Sequence, residues 1–320
     1  MEDRNNDFIK VIKHPKNFDF DANPTEEPEE FFPDDHEEEL AMFFDEDYTL
    51  VDTYLDNELD VNQLSEEQKE LYKKITDFYQ KKLEGSRETI TYCQIPYNEE
   101  EENKVPENEP LGKIMVYPHI EHGLGLIVTK DRKTKVEKLR NVYPFLEKGH
   151  EYKCKLQNVL IGYYRQEAQL VAFIDEYENL MITFYDKHYI ANRFLYNKDD
   201  SYIFNINALA YSVEIINNDN MICVSPTYDI DSEHYEIDTI VNRVSIYDEF
   251  VNEQKVWQLD VVIGYTPDGD EIPLVVYFTK KSLNGNPIPQ KGDNVHLSVS
   301  IQGSLVAINK ELSKPFILSI

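Results

Sequence analysis

Two runs of alternating residues in the C-terminal third of the sequence constrain the fold more than any other feature. Every second residue in the runs is apolar, namely Trp257, Leu259, Val261, Ile263, Ile272, Leu274, Val276 and Phe278. Between the runs lies Thr266-Pro267-Asp268-Gly269-Asp270, which is rich in turn-forming residues. This pattern predicts two antiparallel strands that are joined by a turn and buried on one face.

A short motif occurs twice in the β-rich part of the chain. Ile161-Gly162-Tyr163 matches Ile263-Gly264-Tyr265, and the two glycines lie 102 residues apart. That separation is typical of one small domain. Because further alternating segments follow Leu111, we predict two related β-modules in tandem, at residues 111–216 and 217–320.

Three of the predicted strands begin directly after a turn residue, at Gly149-His150, Asp200-Ser201 and Gly292-Asp293. Small modules with many short antiparallel strands are typical of barrels and sandwiches. The glycine-introduced strands resemble those of oligonucleotide/oligosaccharide-binding (OB) barrels, although an SH3-like barrel or an immunoglobulin-type sandwich fits the same pattern. The predicted fold class is mainly β, with two tandem small antiparallel β-barrel (OB-like) or sandwich modules behind an acidic N-terminal segment and one amphipathic helix.

The charge of the chain is concentrated in its first third. Residues 1–110 carry 33 acidic and 11 basic side chains, whereas the remaining residues carry 28 and 21. Asp21–Asp60 contains 17 acidic residues and no Lys or Arg. Self-repulsion disfavours a packed core there, so we predict a largely extended or disordered segment over residues 1–62.

One amphipathic helix is predicted between this segment and the β-modules. Ser65-Glu66-Glu67-Gln68 has the spacing of a capping box, and apolar residues at helical spacing follow it. We expect the helix to occupy residues 63–85. The acidic, proline-containing stretch that follows predicts a linker over residues 86–110.

Aromatic residues interrupt the acidic segment in a way that suits partner binding. A polyanion with aromatic anchors can fold onto a basic, grooved surface of another protein. The predicted partner-binding residues are Phe31, Phe32, Asp34, Asp35, Phe43, Phe44, Asp45 and Asp47. The alternative is a solubilising tail whose aromatic side chains pack against the chain's own modules.

A single basic cluster contrasts with the acidic background. It comprises Lys130, Arg132, Lys133, Lys135, Lys138 and Arg140. Within a β-rich module it could line a groove for nucleic acid or receive the protein's own acidic segment. The alternative is a solvated hairpin tip or short helix, since loops are commonly polar and exposed.

No catalytic, metal or cofactor motif emerges from the sequence. His119-Ile120-Glu121-His122 lacks the spacing of a zinc hydrolase, and Gly123-Leu124-Gly125 lacks the lysine of a phosphate-binding loop. Three widely spaced cysteines favour a reducing compartment. No stretch reaches the length of about 18 apolar residues that a membrane span requires. We therefore expect a cytoplasmic protein (host cytoplasm or virion if viral) without a membrane partner.

These features predict a non-enzymatic protein-binding or adaptor protein whose acidic segment engages a basic partner. A nucleic-acid mimic and a phage or virion assembly component are variants of this hypothesis. The first alternative is a single-stranded nucleic-acid-binding protein with OB-like barrels and an acidic displacement tail. The second alternative, a metal-dependent enzyme, requires a site that the sequence does not reveal.

Overall fold

The structure is a computed structural model. It describes residues 9–11, 42–43, 65–66, 69–70, 73, 77, 87–88, 111–118, 122–130, 133, 137–161, 167–174, 180–193, 195–217, 222–227, 232–249 and 255–308.

The described residues are mainly β, which confirms the predicted class. The strands are β1 (Ile9–Val11), β2 (Arg87–Glu88), β3 (Leu111–Pro118), β4 (His122–Lys130), β5 (Glu137–Leu146), β6 (His150–Ile161), β7 (Ala168–Ile174), β8 (Met181–Asp186), β9 (Ser201–Ile216), β10 (Cys223–Pro226), β11 (His234–Glu249), β12 (Lys255–Tyr265), β13 (Glu271–Thr279) and β14 (Asn294–Ile308). A helical turn, α1 (Tyr189–Asn192), follows β8, and a 3₁₀ helix (Lys281–Leu283) follows β13.

The strands form two sheets. The small sheet is antiparallel, with the order β2-β3-β4-β5. The large sheet is mixed and has ten strands in the order β1-β6-β7-β8-β14-β9-β13-β12-β11-β10, with additional pairings of β6 with β9 and of β14 with β11. These additional pairings close two circuits of five strands each.

The first ring is the circuit β6-β7-β8-β14-β9, and the second ring is the circuit β11-β12-β13-β9-β14. Each ring contains one parallel pair, β8 with β14 in the first and β13 with β9 in the second. The antiparallel pair of β9 and β14 belongs to both rings. The two rings therefore have the same pattern of strand pairing and share two strands.

The two shared strands pass from one ring to the other. The first part of β9 pairs with β6, and Ala208 and Leu209 further along pair with β13. In the same way the first part of β14 pairs with β11, and Gln302 and Gly303 pair with β8. Neither ring can close without a strand that also belongs to the other ring.

One apolar core fills both rings. It runs from Tyr152 in β6 to Ile301 in β14 and includes the predicted inward residues Leu259, Val261 and Leu274. The division into two tandem modules at residue 216 stays a prediction, and strands on both sides of that residue contribute to this core. The pattern of alternation located the strands, but pairing between distant strands decides how they share a core.

The two predicted strands around the Pro-Asp-Gly turn are β12 and β13, which pair in antiparallel register. The prediction of a single buried face was wrong, because Val262, Val275 and Tyr277 on the other face are also buried. The aromatic side chain of Tyr277 packs against that of Tyr247 in β11, which in turn contacts His122 of the small sheet. The small sheet thus covers part of the second ring.

The repeated Ile-Gly-Tyr motif does not mark equivalent strands. Ile161 ends β6, the first strand of the first ring, whereas Gly264 lies in β12, the second strand of the second ring. The equivalent pairs are β6 with β11 and β7 with β12, because they occupy matching places in the two circuits. The similarity of the motifs is local and does not reflect the symmetry of the fold.

Some described residues lie in the predicted N-terminal segments. Ile9–Val11 forms β1, which pairs with β6 in parallel, so this part of the predicted extended arm belongs to the large sheet. Arg87–Glu88, inside the predicted linker, pairs with β3. Within the predicted helix, five of the described positions are helical, namely Glu66, Lys69, Glu70, Lys73 and Asp77, and the extent of the helix over residues 63–85 stays a prediction. The first helical hydrogen bond, from Lys69 N–H to Ser65 O, is 2.9 Å long.

Candidate functional site

The predicted partner-binding residues are represented by Phe43 in the described part of the chain. Phe43 and its neighbour Met42 are helical, and the side chain of Phe43 is fully buried. The Thr279 hydroxyl at the end of β13 donates a 2.7 Å hydrogen bond to Met42 O. The acidic segment is therefore attached to the second ring at this point. The other predicted partner-binding residues, Phe31, Phe32, Asp34, Asp35, Phe44, Asp45 and Asp47, lie outside the described residues.

The predicted basic cluster lies at the hairpin between β4 and β5. Lys130 ends β4, Lys133 is exposed in a turn, and Lys138 and Arg140 lie in β5. The backbone register places Lys138 opposite Thr129 and leaves Arg140 at a bulge. Arg132 and Lys135 lie outside the described residues. This position agrees with the hairpin-tip alternative and leaves nucleic-acid binding as a prediction.

A cluster of polar side chains surrounds the linker between β5 and β6, residues 147–149. We call it the linker junction. Its backbone carbonyls accept hydrogen bonds from three side chains on two strands: from Asn205 Nδ2 to Glu147 O (2.5 Å), from Asn207 Nδ2 to Leu146 O (2.9 Å) and Lys148 O (3.0 Å), and from the Tyr277 hydroxyl to Lys148 O (2.8 Å). The donors lie in β9 and β13, so the junction ties the small sheet to both rings.

Close packing at the end of this linker requires a glycine. A Cβ atom on Gly149 would lie 2.2 Å from Ile206 O, which is backbone of β9 and cannot move aside cheaply. The approach brings β6 into register with β9, where His150 pairs with Ile206. The linker therefore positions β6, the first strand of the first ring, and also supports the small sheet.

Side chains of the segment after β8 surround the carboxylate of Glu147. Lys187 Nζ lies 3.6 Å and His188 Nε2 lies 3.7 Å from Glu147 Oε2, while the Ser304 hydroxyl donates to Oε1 at 2.8 Å. Lys187 Nζ also donates to Leu146 O at 2.5 Å. Burial raises the pKa of Glu147, but Lys187 and His188 together outweigh it and lower that pKa below its usual value.

A second carboxylate, Asp186, lies on the other side of the same segment. It accepts hydrogen bonds from the Tyr196 hydroxyl (2.5 Å) and from His188 N–H (3.0 Å). Only 1% of Asp186 is exposed, and its burial raises the pKa of the carboxyl to about 7. Burial also lowers the pKa of Lys187 and lowers the pKa of His188 to about 4.

This arrangement can exchange a proton near neutral pH, because Asp186 titrates there. Chemistry on a substrate would also need access, yet Asp186, Lys187 and His188 are each at most 4% exposed. The junction is instead suited to joining three parts of the fold, because Lys187 and His188 are buried beside the one-third exposed carboxylate of Glu147. A perturbed pKa is common at active sites but also occurs in structural ion-pair networks.

An exposed ionic cluster lies on the outer face of β11 and β14. His296 Nδ1 lies 2.7 Å from Asp238 Oδ1, and His296 Nε2 lies 3.0 Å from Glu236 Oε2. The Ser298 hydroxyl donates to the same Glu236 oxygen at 2.8 Å. All three charged side chains are about one-third exposed, so this cluster forms part of an open, acidic sheet face.

In the part of the chain that the structure describes, no group of three His, Cys, Asp or Glu side chains could hold a metal ion. Each helix within the described ranges is too short or too polar to cross a membrane. No protein-family model, curated protein or solved structure shows significant similarity to this chain.

Sequence reasoning missed the linker junction. The sequence does contain a feature that points to this junction. Asp186 ends the apolar strand β8, and Lys187 and His188 follow it, which gives three consecutive ionisable residues at the end of a buried strand. Charged residues at the end of a buried strand can either be exposed to solvent or take part in a buried network of polar groups. Only the fold brings them next to Glu147, which lies about 40 residues earlier.

Proposed function

We propose that each ring is an OB-type barrel. Counted around the circuits from β6 and from β11, both rings pair in the order first-second-third-fifth-fourth, with a parallel contact between the third and fifth places; in the second ring the fifth place is taken by β9, which precedes the other four strands in the chain. A short helix follows the third strand in each ring, α1 in the first and the 3₁₀ helix in the second. This is the pattern of strand pairing of the five-stranded OB barrel, here with the two long strands exchanged between barrels.

We propose that the protein is a non-enzymatic binding protein whose acidic N-terminal segment engages a basic protein. One observation carries the proposal: the acidic segment is attached to the body at Thr279, on the third strand of the second ring. OB barrels bind ligands on the outer face of their second and third strands. The contact of Met42 with the end of the third strand supports this proposal by analogy with that binding mode.

Charge identifies the kind of partner. Asp21–Asp60 carries 17 acidic residues and no basic ones, so its field attracts a cationic surface and speeds the encounter. The outer face of β11 and β14 adds Glu236 and Asp238. A Lys- or Arg-rich protein segment complements both regions.

The test is binding of a fluorescently labelled oligolysine peptide to the full chain at low and high salt. Replacing Asp34, Asp35, Asp45 and Asp47 by Asn should weaken binding about tenfold at low salt, because an ion pair at a solvated interface contributes about 0.2–1 kcal/mol. The matched control replaces four exposed aspartates of the body, Asp199, Asp200, Asp268 and Asp270, by Asn. Equal weakening in both variants would show that net charge, and not the segment, attracts the peptide.

The basic hairpin supports a second candidate function, binding of single-stranded nucleic acid. Lys130 and Lys138 lie on adjacent strands on either side of the exposed Lys133. Reversing the charges of Lys130, Arg132 and Lys133 should then abolish a salt-sensitive interaction with a single-stranded oligonucleotide. Binding that survives the charge reversal would reject this candidate.

A further inference from the structure

The contact between Met42 and Thr279 joins residues that are 237 positions apart in the sequence. Phe43 beside it is fully buried, although it lies in the most acidic part of the chain and was predicted to be a partner anchor. A buried side chain cannot insert into another protein. Phe43 must leave its present position before it can act as an anchor.

Met42 contacts a corner of the fold that Thr279, Lys281 and Ser282 form at the end of β13, and hydrogen bonds among these three residues hold this corner together. The Thr279 hydroxyl accepts a 3.3 Å hydrogen bond from Lys281 N–H while it donates to Met42 O. The Ser282 hydroxyl accepts from Thr279 N–H and donates to Ala210 O, which ties the corner to β9. Thr279 and Ser282 are both fully buried, so the corner is held by the body of the fold.

We propose that the Met42–Phe43 contact is an autoinhibitory latch that holds the acidic segment on the second ring until a basic partner displaces it. This inference rests on the proposed function. With the latch closed, Phe43 is covered and the carbonyl of Met42 is bound. With the latch open, Phe43 and the neighbouring acidic residues are available to the partner together.

A latch of this kind lowers the apparent affinity for the partner by the fraction of chains that are open. Removing one buried hydrogen bond from the closed state raises that fraction about fivefold, provided that the open state is the minor one. A variant of the body can therefore strengthen partner binding without adding a contact to the partner.

Thr279→Val tests the latch without altering the acidic segment. We expect about fivefold tighter binding of the labelled oligolysine peptide and faster hydrogen–deuterium exchange at Met42 and Phe43. The matched control is Thr239→Val, which removes a buried hydroxyl of the same ring that donates to Val262 O at 2.5 Å. The control should bind the peptide like the wild type.

Unchanged peptide affinity and unchanged exchange in a folded Thr279→Val chain would overturn the latch and leave the proposed function standing. Absence of peptide binding in the wild type and both variants would reject the proposed function, and the latch with it. Stopped-flow mixing of the wild type with excess peptide adds a measurement that needs no variant. A latch predicts an observed rate that levels off at the opening rate, whereas a rate that rises linearly would contradict it.

Discussion

The two rings share their pattern of strand pairing but differ in the chemistry of the segment that follows the third strand. After β8 the first ring continues through Asp186, Lys187 and His188, which are buried and ionisable. After β13 the second ring continues through Thr279 and Ser282, whose hydroxyls form neutral hydrogen bonds. The segment that follows the third strand is therefore held by ionisable side chains in the first ring and by neutral hydroxyl groups in the second ring.

This difference shows which part of the sequence decides the fold. Both rings need apolar alternation and two long strands that reach across the shared core. The residues that follow the third strand of each ring can differ in chemistry, provided that their buried polar groups form hydrogen bonds. As a consequence, we expect Asp186 and His188 to make stability depend on pH, whereas the hydroxyls of Thr279 and Ser282 should make no pH-dependent contribution.

The largest expected effect comes from Gly303, where β14 enters the first ring. A Cβ atom there would lie 2.5 Å from the ring of the buried Phe184, which packs on Phe204. Gly303→Ala should lower the free energy of unfolding by about 3 kcal/mol or more, because the core has no room for it. In the control, Gly264→Ala, the Cβ atom would meet only the flexible end of Ile272 at 3.0 Å.

Because β14 belongs to both rings, Gly303→Ala should also destabilise the second ring. Denaturant unfolding followed by the fluorescence of Trp257, the only tryptophan of the chain, reports on the second ring. Its midpoint should fall together with the midpoint measured by circular dichroism. A second ring that keeps its wild-type midpoint would show that the rings unfold independently.

The next effect separates the two rings by pH. The folded chain holds a proton on Asp186, with a pKa of about 7, that the unfolded chain releases near pH 3.8. Asp186 therefore lowers the free energy of unfolding as the pH rises through this range. His188, with its pKa lowered to about 4 from 6.5, has the opposite effect, because the unfolded chain binds a proton that the folded chain does not.

Between about pH 5 and 6.5 the two slopes should cancel in the wild type. In His188→Gln the free energy of unfolding should fall with rising pH, by up to about 1.4 kcal/mol per pH unit, and in Asp186→Asn it should rise by a similar amount. Urea unfolding at several pH values measures both slopes. Slopes of the same sign in the two variants would contradict the assignment of these groups.

A smaller, pH-independent effect is expected at the second ring. Ser282→Ala removes the hydroxyl that bridges Thr279 N–H and Ala210 O. We expect a loss of about 1–2 kcal/mol, since two buried backbone groups lose a partner. The same loss should appear at pH 5 and at pH 6.5, and a loss that varies with pH would show that a titrating group is coupled to the Ser282 hydroxyl.

Much of the secondary structure could be predicted from the sequence because alternation is a local property. The hairpin of β12 and β13 follows from apolar residues such as Leu259 and Leu274 and from the Pro-Asp-Gly turn between them. The assignment of strands to sheets could not be predicted in the same way. That assignment depends on contacts such as Tyr185 with Gln302, which are more than 100 residues apart.

The candidate site was harder to predict for a related reason. Glu147 and Lys187 have no pattern in common, and the junction exists only because β5, β8 and β9 meet. The sequence did identify Phe43 as a residue that must be buried somewhere. Its burial on the chain's own body corresponds to the alternative in which the aromatic side chains pack internally.

The smallest expected effect concerns an exposed ion pair, which contrasts with the buried charges of the first ring. Arg243 Nε lies 2.6 Å from Asp260 Oδ2 across β11 and β12, but the side chain of Arg243 is 62% exposed. Arg243→Gln should lower the free energy of unfolding by less than about 1 kcal/mol, and high salt should remove the difference, because water and ions screen the pair. Asp260 keeps a 2.6 Å hydrogen bond from Gln258 Nε2. Chemical unfolding at low and high salt measures the difference, and a loss that salt does not reduce would show that Arg243 contributes through packing and not through its charge.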